Sequence, residues 1–92
     1  MSSNVATLRD AIMRASEFSG RPIGTFDRAG FEDDYIFHVM PNDSQPEGTP
    51  CYWVRKSTGE VAEKNRGNIT EMTAWVKRPT THAVRSEGLA LR

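Results

Sequence analysis

Residues Pro50 to Lys64 read PCYWVRKSTGEVAEK, and this stretch fixes the architecture of half the protein. The run Cys51 to Val54 is rich in large residues that favour strands, and Val61 begins a weaker return arm. Between the two arms lies Thr58-Gly59, where glycine allows the positive φ that a tight turn requires. The pattern predicts a β-hairpin. It contains no catalytic chemistry.

The composition indicates one small folded domain. The chain has 92 residues, of which 37% are hydrophobic, and its 12 basic and 12 acidic side chains cancel. This length allows a single thin core, and a net charge of zero gives no support to attraction by nucleic acid or membranes. The start lacks the basic and apolar runs of a signal peptide, and no apolar run approaches the ~18 residues of a membrane span. We therefore expect a cytoplasmic protein.

Charge is distributed unevenly along the chain. One basic residue, Arg28, lies among the acidic residues of the first half, which are Asp27, Glu32, Asp33, Asp34, Asp43 and Glu47. From Arg55 onward, basic residues outnumber acidic ones. The pattern predicts a dipolar surface, although a mixed solvated surface is the alternative.

The residues before the hairpin predict a helix followed by strands. Apolar residues recur at helical spacing from Val5 to Phe18, so we expect a helix over about residues 4–19, capped by Ser3 or Asn4 and ended by Gly20. Residues 22–26 suit a short edge strand, and 27–33 read as a polar turn. Residues 34–40 alternate between two largely apolar faces, which is typical of a central strand. Residues 41–50 form a loop.

A second, shorter helix is predicted after the hairpin. Asn68 followed by Glu71 has the spacing of a capping box, and the apolar residues from Ile69 to Val76 fall on one side of a helix that Pro79 ends. We expect an α+β fold over residues 1–79, with the N-terminal helix on a three- to four-stranded, mainly antiparallel sheet. Residues 80–92 are expected to be a C-terminal tail, flexible or ordered on a partner.

No arrangement of residues predicts catalysis, a cofactor or a metal site. Cys51 and His38 lie on neighbouring predicted strands, but no third group orients them and no glycine-rich turn offers an oxyanion hole. The glycines form no phosphate-binding pattern. We interpret His38 as a partly buried strand residue and Cys51 as a small sheet hydrophobe.

The run Tyr52 to Val61, YWVRKSTGEV, resembles a phrase found in small bacterial and phage α+β domains. The family it is most similar to is that of the YrhB-like, or immunity protein 35, domains. These domains also begin with an amphipathic helix, continue with a strand and place this hairpin late. The resemblance implies a toxin-neutralising or other protein-binding module without enzymatic activity. Arg55 departs from the family pattern, where an acidic residue is expected.

The leading hypothesis is therefore a non-enzymatic inhibitor or immunity-type protein, a monomer or small homo-oligomer that masks a partner protein. The candidate contact residues are Glu32, Asp33, Asp34, Asp43, Glu47, Arg55 and Lys56. One alternative is a structural subunit of an assembly such as a phage particle, in which residues 80–92 would order against a neighbouring copy. A second alternative is a nucleic-acid binder that uses the basic second half.

Overall fold

A five-stranded antiparallel sheet organises the protein, whose computed structural model describes residues 4–86. Along the chain the elements are α1 (Leu8–Ser19), β1 (Phe26–Glu32), β2 (Ile36–Pro41), β3 (Cys51–Arg55), β4 (Val61–Lys64), α2 (Ile69–Val76) and β5 (His82–Arg85). In space the strands lie in the order β4-β3-β2-β1-β5, and every neighbouring pair is antiparallel. The α+β class predicted from the sequence is confirmed.

The hairpin of β3 and β4 forms as the sequence predicts. Val54 lies opposite Val61, and the N–H of Gly59 donates to the Arg55 carbonyl at 2.8 Å. Gly59 has a φ of +77°, a value that an L-residue rarely adopts. The local turn chemistry therefore sets the register of this half of the sheet.

Strand β1 occupies Phe26–Glu32, where we predicted a polar turn, and a 3-10 turn at Ile23–Thr25 replaces the predicted edge strand. The prediction was wrong because a strand that carries Asp27, Arg28 and Gly30 has little β-propensity. Gly30 is needed for packing: a Cβ there would lie 2.5 Å from the His38 carbonyl and 3.2 Å from a Leu8 methyl group. This glycine marks a close approach of backbone and helix.

Strand β5 comes from the segment that we predicted to be a tail. Its residue Val84 pairs with Gly30, and beyond it the N–H of Ser86 donates to the Arg28 carbonyl at 2.7 Å. The sheet thus has one strand more than the upper predicted number, and the folded unit extends to Ser86. The remainder of the predicted tail, residues 87–92, lies outside the described residues.

Helix α1 covers one face of the sheet. It begins at Leu8 after Thr7, whose hydroxyl accepts from the Asp10 N–H at 3.1 Å, and not after the predicted cap Asn4. The other predicted cap, Ser3, lies outside the described residues. The apolar stripe of α1 faces the sheet, and its residue Ile12 is fully buried. The core between helix and sheet consists of Val5, Leu8, Ala11, Ile12, Ala15, Phe26, Phe37, Val39, Tyr52 and Val54. We call this side of the sheet the α1 face.

Helix α2 lies on the opposite side, the α2 face. Its Trp75 ring approaches His38 and Trp53, whose side chains alternate with the core residues of β2 and β3. The predicted helix is confirmed, but the predicted capping box is wrong. The reciprocal box lies one turn earlier, because Asn68 Oδ1 accepts from the Asn65 N–H at 3.1 Å and the Asn65 side chain caps in return.

Candidate functional site

The predicted contact residues are divided between the two ends of the sheet. One end, which we call the hairpin end, carries the turn between β1 and β2 and the turn between β3 and β4. It holds Glu32, Asp33, Asp34, Arg55 and Lys56. The other, the loop end, carries residues 42–50 with Asp43 and Glu47. A central strand separates these two ends, so the fold does not bring the predicted set together.

Asp33 is a structural residue and not an exposed contact, which corrects the sequence-based prediction. It is buried, and its Oδ1 accepts from the N–H groups of Tyr35 at 2.7 Å and Ile36 at 2.9 Å. Its Oδ2 accepts from Trp75 Nε1 at 2.8 Å. Burial acts to raise the pKa of Asp33, but these hydrogen bonds and the charge of Lys56 lower it below its ordinary value of 3.8. The ionised carboxylate thus fastens the turn to α2.

Tyr35 is the most exposed large hydrophobic residue at the hairpin end, with 69% of its surface accessible. The predicted strand over residues 34–40 places Tyr35 on the same face as Phe37 and Val39, but β2 begins only at Ile36, and Tyr35 precedes it. Its backbone is held on both sides: its N–H donates to Asp33, and its carbonyl accepts from the Lys56 N–H at 2.8 Å. A fixed backbone therefore presents an aromatic ring that is largely exposed.

The charged side chains at this end largely compensate one another. Lys56 Nζ lies 2.6 Å from Glu32 Oε1 and 4.6 Å above the centre of the Phe37 ring. The charges of Lys56 and Glu32 therefore neutralise each other within the protein. Asp34 and Arg55 remain exposed. The predicted acidic face is thus a surface of mixed charge here.

A shallow groove of about 340 Å³ runs beside Tyr35. Part of its lining is apolar, from Val5 and Ala6, and part is charged, from Asp34, Arg55 and Lys56. The groove and the Tyr35 ring together form the surface that we call the Tyr35 surface. It combines an apolar contact area with charges of both signs.

The loop end holds the other two predicted contacts, and both are exposed. Glu47 lies 3.9 Å from Arg66, and both side chains are mostly exposed, so this ion pair contributes little to the stability of the fold. Asn42 fastens the loop: its N–H donates to the Thr25 carbonyl at 3.0 Å and its Nδ2 to the Gly24 carbonyl at 2.7 Å. Asp43 is exposed.

A cluster of aromatic side chains lies on the α2 face. Trp75 packs 5.3 Å from Trp53 and 5.8 Å from His38 between ring centres, and Phe31 lies 6.3 Å from His38. Lys64 covers Trp53, with its ammonium 4.5 Å from the ring centre. We call these rings the Trp–His cluster.

Within this cluster, Trp53 determines which tautomer the neutral His38 ring adopts. Trp53 Nε1 donates to His38 Nδ1 at 2.7 Å, so Nδ1 is an acceptor and the neutral ring carries its proton on Nε2. Burial lowers the pKa of His38 from 6.5 to about 4, because the charged imidazolium would lose its hydration. His38 is therefore neutral at pH 7.

Burial and hydrogen bonding act on Cys51 and His38, the pair that the sequence analysis considered for catalysis. Burial raises the pKa of the Cys51 thiol, which disfavours the nucleophilic thiolate. His38 Nδ1 accepts from Trp53 and is not free to act as a base. Within residues 4–86 no group of three or more His, Cys, Asp or Glu side chains is placed to hold a metal ion.

No protein-family model, curated protein or solved structure matches the chain. The resemblance to the YrhB-like and immunity protein 35 domains therefore stays a prediction. No helix in the described part of the chain is long and apolar enough to cross a membrane.

Sequence reasoning missed Tyr35 as a surface residue and missed the role of Asp33. A local signal was present, because an Asp just before a strand is typical of an Asx turn, in which the side chain accepts backbone N–H groups. The bond from Asp33 to Trp75 spans 42 positions and has no local signal.

Proposed function

We propose that this protein is a non-enzymatic protein-binding module of the inhibitor or immunity type, and that it contacts its partner through the Tyr35 surface. The observation that carries the proposal is the exposure of Tyr35, at 69%, on a backbone that Asp33 and Lys56 hold from both sides. Within residues 4–86 the ring makes no hydrogen bond and no aromatic contact, so its large apolar surface is available for association.

Preorganisation favours this surface energetically. Tyr and Arg are the residue types enriched where binding energy concentrates, and a rigid backbone reduces the entropy lost on binding. Burying a large aromatic side chain gains about 1.5–3 kcal/mol. Tyr35 would therefore act as the central anchor, and Arg55 and Asp34 as charged neighbours.

The mixed charge of the surface describes the partner. The partner protein would offer an apolar pocket that receives the Tyr35 ring, with a carboxylate near Arg55 and a basic group near Asp34. Because Lys56 and Glu32 already pair at 2.6 Å, they would shape the groove but add little attraction. Affinity would then depend only weakly on salt.

Site-specific crosslinking tests the proposal. A photoreactive benzoylphenylalanine at position 35 is expected to crosslink one partner protein in cells that contain the native host proteins. The control carries the same group at Phe18, which is 56% exposed and packs edge-on against Tyr52 on the α1 face. The partner is then purified and its affinity measured for the unsubstituted protein, for Tyr35→Ala and for Phe18→Ala.

We expect Tyr35→Ala to weaken binding at least tenfold and Phe18→Ala to leave it unchanged. Equal crosslinking from both positions, or equal affinity of the two variants, would contradict the proposal. The two alternatives remain predictions. Large regular oligomers of the purified protein would favour the assembly subunit, and a salt-sensitive shift of DNA or RNA in a gel would favour the nucleic-acid binder.

A further inference from the structure

We infer that the groove between α2 and the α2 face binds a small apolar carboxylate, a molecule with a hydrophobic body and one carboxylate group. The site is separate from the Tyr35 surface and does not depend on the proposed function. Its volume is about 280 Å³. A groove of this size has room for a small molecule of about ten non-hydrogen atoms.

The first element of the site is a fixed hydrogen-bond donor on the groove lining. His38, which lines the groove, is only 5% exposed, and the bond from Trp53 leaves the proton on Nε2. Within residues 4–86, Nε2 has no hydrogen-bond partner. Among the side-chain polar atoms of residues 4–86, only Ser86 Oγ is both fully buried and without a partner. His38 Nε2 has no partner either, so it is not fully buried and remains accessible. The donor therefore opens toward the groove.

The second element is an apolar lining that adapts to a ligand. Phe31 and Met40 contribute from the sheet, and Met72 and Val76 contribute from α2. Methionine side chains are flexible and polarisable, so they can close around hydrophobic bodies of different shape. Nonpolar surface of this kind is typical of small-molecule sites that carry few polar groups.

The third element is charge. Lys77 is the one charged residue that lines the groove, and it makes no ion pair within residues 4–86, whereas Lys56 and Lys64 are paired with Glu32 and Glu71. The lining contains no carboxylate. A positive charge and an N–H donor without a competing acid favour an anion over a cation or a neutral molecule.

Binding of three matched compounds tests this site. The probes are 3-phenylpropionate, 3-phenylpropanol and 3-phenylpropylamine, which share a hydrophobic body and differ in charge. Titration is followed by calorimetry and by the fluorescence of Trp53 and Trp75, which border His38. We expect the carboxylate to bind with a Kd near or below ~1 mM and the other two about tenfold or more weakly.

Two exposed, adjacent residues provide a matched pair of variants. Lys77→Gln is expected to weaken carboxylate binding about threefold to fivefold and to leave binding of the alcohol unchanged. Arg78→Gln is the control, because Arg78 is exposed and does not line the groove. It removes the same charge at the next position and should change neither affinity.

The role of His38 is tested by NMR on the unsubstituted protein, because a substitution of this buried residue could destabilise the fold. The imidazole nitrogens of the unsubstituted protein, observed by long-range ¹H–¹⁵N correlation, should show the Nε2–H form, and the carboxylate should shift the Nε2 signal. The inference fails if no saturable binding occurs up to about 10 mM, tenfold above the expected Kd. It also fails if the alcohol binds as tightly as the carboxylate, or if Lys77→Gln and Arg78→Gln behave alike.

Discussion

The two faces of the sheet are built on different physical principles. The α1 face is held by aliphatic and aromatic side chains that bury nonpolar surface, and within residues 4–86 its buried core contains no carboxylate, imidazole or amine. The α2 face is held by aromatic rings connected through two directional hydrogen bonds, from Trp53 to His38 and from Trp75 to Asp33. The first kind of packing tolerates small shifts, whereas the second requires specific geometry.

In this small protein, one face of the sheet supplies most of the stability and the other supports the two proposed binding surfaces. The free energy gained by burying nonpolar surface on the α1 face is proportional to the buried area and largely independent of pH. The polar contacts on the α2 face are worth less in net free energy, but they are costly to leave unmade. They also fasten α2 to the turn that presents Tyr35 and fix the tautomer of His38. Both proposed binding surfaces thus depend on the α2 face.

The largest expected effect concerns the α1 face. Ile12→Ala should lower the free energy of unfolding by about 4 kcal/mol, because Ile12 is fully buried and its loss leaves a cavity. Urea denaturation followed by circular dichroism measures this. The matched substitution on the other face, Met72→Ala, should cost less than half as much, since Met72 is only partly buried. Equal costs would remove the distinction between the faces.

The second effect is the pH dependence of stability, which should arise on the α2 face. His38 has a pKa of about 4 in the folded protein and an ordinary value of 6.5, so the unfolded chain binds the extra proton first. Stability should therefore fall as the pH decreases from 6.5 to about 4, by on the order of 3 kcal/mol, and be independent of His38 above 6.5. Asp33, whose pKa is lowered, should add a further loss below about 3.8.

Denaturation midpoints measured across this pH range test the origin of the effect. His38→Gln cannot titrate and should lose most of the slope between pH 6.5 and 4, even if its stability at pH 7 is lower. Ile12→Ala is the control, because it should retain the slope of the unsubstituted protein. A slope that persists in His38→Gln would assign the pH dependence to other groups.

The third effect is the loss of the hydrogen bond that connects α2 to the turn. Trp75→Phe keeps an aromatic ring but removes the donor to Asp33 Oδ2, which leaves a buried carboxylate oxygen without its partner. We expect a cost of about 2 kcal/mol at neutral pH. The double variant with Asp33→Asn should show that the two costs are not additive. Strict additivity would mean that the bond carries no energy.

The smallest expected effect on stability is that of Tyr35→Ala, below about 0.5 kcal/mol, because the ring is exposed. The same substitution is expected to weaken partner binding at least tenfold. Thermal unfolding and affinity measured on one preparation separate the two quantities. A clear loss of stability would show that the ring belongs to the fold, and would remove the reason for assigning it to a partner.

Local sequence signals predicted the elements that depend on near neighbours. The hairpin at Thr58-Gly59, the amphipathic stripe of α1 and the end of α2 before Pro79 all follow from turn chemistry or periodicity. Strands β1 and β5 were missed because their residues have weak propensity and form strands only through pairing with distant parts of the chain: β1 pairs with β2 and β5, and β5 pairs with β1. For the same reason, sequence alone did not show that Asp33 is buried or that Tyr35 is exposed.

Local features of the sequence account for the α+β class, the hairpin and both helices. These depend on interactions over a few positions, where backbone preference and hydrophobic spacing suffice. Only the tertiary structure decided which end of the sheet each charge occupies, that Trp53 fixes the proton of His38, and that Trp75 fastens the turn beneath Tyr35. These contacts join residues 15 and 42 positions apart, so they exist only after the strand order has been set.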